Sequence, residues 1–290
     1  PKILAVILVY ASIFAAVGLM IYATAPIFVF EINQLSQNIP EYFEKIHPVL
    51  EELGVNVAKN FEDFTSTLVS ELKESASSII KAAFVFFGGI ASTILIFAFA
   101  FYISLEDKGP ERVLLLLTPK KYEAYVVYIF QKAQYQVAGW FGARVLACIF
   151  VGLTSFVVFF LLDIKYAFTL ALISGVLTFI PFIGPLITAV LAALFVGVSS
   201  SWMVALYIVV ALYIIQAIEN NLVTPLLMKK FLDIPPVLVL ISLLIGGTIF
   251  GILGMIFVVP VFGIIYQFSK EFLEKKRSEE NDLLAEVEAH

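Results

Sequence analysis

The chain has little from which to build a redox, metal or enzymatic centre. Its 290 residues include one cysteine, Cys148, set inside an apolar run, so neither a disulfide framework nor a thiolate metal site can be assembled within one copy. The position reads as packing filler against lipid or a neighbouring helix. The two histidines, His47 and His290, are far apart, one in a polar segment and one at the last residue, and no metal is assigned. The GxSxG, HExxH, phosphate-loop and dinucleotide fingerprints are missing as well. No enzyme activity, cofactor, nucleic-acid partner or nucleotide-driven pumping is therefore expected of this chain. Charge is also scarce, at 14% of residues.

What is abundant is apolar sequence. A 61% hydrophobic content and a mean hydropathy of +1.00 stand well above the roughly 45 to 50% apolar share of soluble domains. Apolar runs near residues 1 to 30, 82 to 104, 144 to 162, 166 to 198, 203 to 223 and 237 to 268 reach or exceed the ~20 residues that cross a bilayer as helix. They are too long for strands and lack unbroken alternation, which argues against a β-barrel. The expected fold class is all-α: a polytopic transmembrane helical protein. Lys2 runs straight into apolar sequence without a cleavage site, and the start at Pro1 reads as truncated or processed.

Basic residues give the expected topology, because cytoplasmic flanks are enriched in Lys and Arg. The segment 31–81 holds nine acidic and four basic residues and is placed outside. Lys108, Arg112, Lys120, Lys121 and Lys132 place 105–143 inside; Lys229 and Lys230 mark another inner loop, and Lys270, Lys275, Lys276 and Arg277 an inner tail. Crossings at 1–30, 82–104, 144–162 and 203–223 satisfy these signs only if the runs 166–199 and 237–268 each begin and end on one side. Both are therefore expected to be hairpins.

Helix breakers mark where each would turn. Pro181 and Pro185 flank Gly184 in the first run, and prolines remove backbone donors that a helix needs. Each arm is then about 14 residues or roughly 21 Å, short of a ~30 Å hydrocarbon core, so a re-entrant loop is expected. The second run breaks around Gly246, Gly247, Gly251 and Gly254. Gly247 and Gly251 also have GxxxG spacing, which suits close helix packing, and both readings can hold. A span plus a broken hairpin thus occurs twice, over 144–199 and 203–268, entering from opposite sides. Inverted repeats of this kind build substrate sites from discontinuous helices. The tail is 269–290.

Two amphipathic stretches remain. Val57, Phe61, Phe64, Leu68, Leu72 and Ile79 recur at three- and four-residue steps, giving a helical stripe for the membrane surface or for a subunit contact. Between Lys120 and Phe141, Tyr122, Tyr125, Tyr128, Tyr135 and Trp140 suit the membrane interface.

The candidate substrate or ion site is the polar cluster Gln216, Glu219, Asn220, Asn221 and Thr224, followed by Pro225. Gln216, Glu219 and Asn220 are three and four residues apart and should share a helix face. Glu219 lies about 25 Å along its helix from Trp202, a depth at which an ionisable group is costly and faces a cavity or a partner. It is expected to bind a cation or proton; reaching interfacial water or pairing with Lys229 is the plainer alternative. Arg144 opens the third crossing and is a second site candidate, as partner of Glu219, as attractor of an anionic substrate, or as a positive-inside anchor. Asp163, Asp233, Glu106 and Asp107 read as boundary charges.

Three stretches carry a family likeness: FIPFIGP (Phe179 to Pro185), QAIENNLVTP (Gln216 to Pro225) and IPPVLVLISLLIGGTIFGILGMIFVVPV (Ile234 to Val261). With them the chain resembles the autoinducer-2 exporter family of bacterial and archaeal membrane proteins, over nearly its whole length. The resemblance implies a multi-pass plasma-membrane protein that exports a small signalling molecule or exchanges sodium or lithium for protons. It also implies a homo-oligomer, a pentamer, in a lipid bilayer. Glu106 and Asp107 depart from the basic-acidic pair usual after the second span.

Overall fold

A computed structural model describes residues 2–52, 70, 90–106, 108–228 and 234–288. The stripe from Val57 to Ile79, and with it Asp107, Lys229, Lys230, Asp233 and His290, lie outside the described residues. The protein is all-α. Its elements are α1 (Lys2–Glu52), α2 (Ile90–Leu105), α3 (Gly109–Leu117), a 3₁₀ turn (Lys120–Tyr122), α4 (Glu123–Leu161), α5 (Ala167–Leu177), α6 (Ile183–Ser199), α7 (Trp202–Ile218), a π turn (Glu219–Val223), α8 (Thr224–Met228) and α9 (Pro236–Glu288). Among the described residues four helical stretches are long and apolar enough to cross a membrane: Lys2–Tyr42, Lys120–Leu161, Trp202–Leu226 and Pro236–Glu271. Helices suit that setting because each satisfies its own backbone polar groups in lipid.

Length alone overstates α9. Gly251 breaks it with φ 61 and ψ −142, a conformation essentially reserved for glycine. A Cβ built on Gly246 would stand 2.6 Å from the carbonyl oxygen of Gly254 and 2.7 Å from Val258 Cβ. In a straight helix, eight residues separate such positions by about 12 Å. The chain therefore reverses at Gly251, and its first arm, 236–250, is only about 22 Å long. The earlier break, between α5 and α6, is a tight turn in which Gly184 N–H donates to the Ile180 carbonyl at 3.0 Å. Phe182 there holds a positive φ of 61. Pro185 falls in the first turn of α6, where its missing N–H costs nothing.

The chain forms two compact units. The first comprises 1–126, 156–173 and 190–211. Within it α1 runs antiparallel to α2: Lys2 Nζ donates to the Leu105 carbonyl at 2.8 Å, and the Phe14 and Phe97 rings lie 4.4 Å apart. The helix does not end near residue 30 but continues to Glu52. Beyond residue 30 it buries Ile32, Ser36, Ile39 and Tyr42, an i, i+4, i+7 stripe. Glu31 accepts a hydrogen bond from Thr169 N–H at 2.7 Å, satisfying a free donor in the first turn of α5. Asn38 Nδ2 donates to Tyr166 Oη at 2.8 Å, and Tyr42 meets Phe195 edge to face at 5.6 Å.

The second unit comprises 127–155, 174–189 and 212–290. Its core is Trp140, Ile180, Leu243 and Val259, so α4 packs both on the turn between α5 and α6 and on the two arms of α9. Trp140 is 2% exposed and is a core residue, which corrects its expected place in the interfacial aromatic group. Tyr122, Tyr125, Tyr128 and Tyr135 are exposed, as a surface belt requires. One face of α4 reads Lys132, Gln136, Trp140 and Arg144 at four-residue steps. Lys132 pairs with Glu271, and Gln136 donates to Gln267, so the face changes partner at each turn.

Candidate functional site

The second unit also assembles the polar cluster. At the end of α7 the backbone widens into the π turn Glu219–Val223, in which Thr224 N–H bonds the Glu219 carbonyl five residues back. Such wide turns recur at functional sites. Here the turn has a definite effect: it carries Thr224 beneath the Glu219 side chain, where its hydroxyl donates to Oε1 at 2.6 Å. Gln216, one ordinary helical turn earlier, donates through Nε2 to Oε2 at 2.7 Å. Each carboxylate oxygen of Glu219 thus has a neutral donor supplied by its own helix, and the residue is fully buried.

Arg144 supplies the charge. Its Nη1 stands 3.6 Å from Glu219 Oε1, an ion pair too long to be a hydrogen bond, and 3.5 Å from the Thr178 carbonyl oxygen at the turn after α5. The guanidinium is itself buried, and its Nε has no hydrogen-bond partner. Buried donors are normally satisfied, so this one is an exception that calls for a reason. Arg144 is thus placed as a partner of Glu219, while Lys229 lies outside the described residues.

Asn220 and Asn221 are exposed in the single chain, and Asn221 Nδ2 donates back to the Ala217 carbonyl at 2.8 Å. The expected common face of Gln216, Glu219 and Asn220 holds for the first two only. The glycines and prolines are divided similarly: Pro181, Gly184 and Gly254 are buried, whereas Pro185 is half-buried and Gly251 exposed. The Thr178 carbonyl has no sequence signal, because a backbone acceptor at a turn leaves no mark in residue identity.

Replacing Thr224 by Val should cost about 1 to 3 kcal/mol, as it leaves a buried carboxylate oxygen without its donor. Asn221→Ala should stay within about 0.5 kcal/mol, as exposed positions usually do. Denaturant unfolding of purified protein in detergent would rank the two, and equal costs would contradict the placement.

The family described as AI-2E family transporter matches residues 1–274. The chain belongs to the AI-2E transporter family. This is a family of membrane transporters, and the apolar helices agree with membrane residence. Among its relatives, the provisionally named transport protein YueF of Bacillus subtilis (strain 168) is 26% identical over 99% of this chain and 82% of YueF. YrrI of the same organism is 26% identical over 95% of this chain and 80% of YrrI. The AI-2 transport protein TqsA of Escherichia coli (strain K12) is 23% identical over 91% of this chain and 76% of TqsA. In this AI-2E chain, Gln216, Glu219, Thr224 and Arg144 form one cluster, and all four lie within the matched residues.

Proposed function

We propose that this AI-2E protein is a secondary transporter working by alternating access around its two broken-helix elements. It exports a small polar molecule, of the class named for the Escherichia coli relative, or exchanges sodium or lithium for protons. The observation that carries the reading is the incompletely coordinated ion pair. Arg144 is buried, touches Glu219 only at 3.6 Å and leaves Nε without a partner. A charged group in that condition is costly in a membrane protein unless something else completes its coordination in the working cycle. An oxygen of a polar substrate can do so at Arg144, and a cation or proton can replace Arg144 at Glu219.

The surroundings support the same reading. The turn at Thr178 to Phe182 and the arms of α9 both pack on α4 within one turn of Arg144. In the proposed topology these are two re-entrant hairpins of an inverted repeat, and the turn of the first meets Arg144 through the Thr178 carbonyl. On the Lys120 side of Arg144 come the Trp140 core, then the bond from Gln136 to Gln267, then the pair of Lys132 with Glu271. Stacked closures of that kind suit a state shut toward the cytoplasm. The proposed setting is a pentamer in a prokaryotic plasma membrane.

Liposomes containing a pH-sensitive dye provide the test. Adding sodium or lithium, or loading a small polar solute, should produce proton flux or efflux that depends on pH. Glu219→Gln should assemble normally yet flatten that dependence. A second reading, a non-transporting oligomeric scaffold or pore, is favoured if no ion-coupled flux and no efflux occur.

A further inference from the structure

A second polar site lies in the first unit and uses none of the residues of the Glu219 cluster. A cavity of about 350 Å³ is lined by Gln34, Gln37, Asn38, Lys165 and Tyr166. This volume is at the lower end of small-molecule pockets. Gln34, Gln37 and Asn38 are at i, i+3 and i+4 and form one face of α1. The opposite wall is the short loop between α4 and α5, where two non-glycine residues, Asp163 and Tyr166, hold positive φ of 50 and 58. A tyrosine in that region is strained, and such strain persists only where contacts over-determine it. Here the contacts are the bond from Asn38 to Tyr166 Oη and the packing of the Tyr166 ring on Phe195. The loop is thereby fixed so that Lys165 lines the cavity.

We infer that this cavity binds a small hydroxylated carboxylate, of the sugar-acid class. Three carboxamides and a phenol offer paired donors and acceptors suited to hydroxyl groups. The ammonium of Lys165 adds one cation, and no lining residue carries a negative charge. Glu41 lies outside the lining and pairs with Lys45 at 2.8 Å; the Lys165 charge also acts on it, but at no ion-pair distance among the described residues. A negative oxygen of a ligand can pair with the Lys165 ammonium in place of water.

The test is direct binding to the full chain in nanodiscs, followed by titration calorimetry, with D-gluconate as probe and sorbitol as its uncharged counterpart. Gluconate should bind at least tenfold more tightly than sorbitol. Lys165→Gln should erase that preference, a loss of about the size of one charge-assisted hydrogen bond. Gln37→Ala should weaken both probes. Both side chains are exposed, so folding should be kept, and an unchanged thermal transition checks it. Glu219→Gln should leave gluconate binding intact, which separates this site from the proposed transport site. Absence of gluconate binding, equal affinity for sorbitol, or an undiminished preference in Lys165→Gln would each overturn the assignment.

Discussion

Glu219→Leu is expected to destabilise the protein by about 3 to 5 kcal/mol, because it leaves the Arg144 guanidinium buried with no counter-charge. Arg144→Met should cost a similar amount by stranding the carboxylate, although Gln216 and Thr224 still donate to it and soften the loss. The double variant is the informative one. If the pair is a true buried couple, Arg144→Met with Glu219→Leu should be less damaging than the sum of the singles, since neither charge is then left alone. Thermal unfolding of the four proteins in one detergent gives the cycle. Simple additivity would show that the 3.6 Å approach carries no coupling. Glu219→Gln separates structure from transport: it keeps the shape and the Thr224 contact while removing the charge that Arg144 faces.

The second large effect is expected at the glycines, which are not equivalent. A Cβ on Gly184 would fall on the carbonyl oxygen of Leu177, and one on Gly254 on the carbonyl oxygen of Gly246. Those obstacles are backbone and cannot rotate away, so Gly184→Ala and Gly254→Ala should cost about 3 kcal/mol, the upper end of overpacking penalties, and lower folded yield. Gly251→Ala meets nothing within 4 Å, yet φ 61 with ψ −142 forbids a side chain on conformational grounds, for about 1 to 3 kcal/mol. At Gly247 the obstacle is Met255 Cε at 2.6 Å, the free end of a flexible chain, so Gly247→Ala should cost about 1 kcal/mol or less. Size-exclusion profiles and melting temperatures of the four variants check the order. A tolerant Gly251 beside an intolerant Gly247 would contradict the reversal.

Much of this architecture was legible in the sequence, and the reasons can be named. The two breaks were readable because proline and glycine act locally: a missing N–H or a missing Cβ has the same consequence wherever the chain goes. Arg144 and Glu219 were readable because charge in apolar sequence needs a partner, although their 3.6 Å approach needed three dimensions. The grouping of Asn220 with Gln216 and Glu219 assumed an unbroken α-helix, and the π turn defeats that periodicity. Trp140 looked interfacial among tyrosines, but its place four residues from both Gln136 and Arg144 puts it on the buried face of α4. The Ile32, Ser36, Ile39, Tyr42 stripe is hidden because it crosses from apolar into polar sequence.

The π turn makes chain length itself a determinant of the site. A π turn holds one residue more than the α-helical path it replaces, so everything after it is rotated by about 100° relative to an uninterrupted helix. Thr224 reaches the carboxylate through that rotation. Straightening the turn to α-helix with every residue kept would swing Thr224 about 140° away from Glu219, whereas removing one residue from 220–223 together with the turn would leave the threonine four residues on, back on the same face. In this protein the spacing between Glu219 and Thr224 is as much a part of the chemistry as the residues themselves.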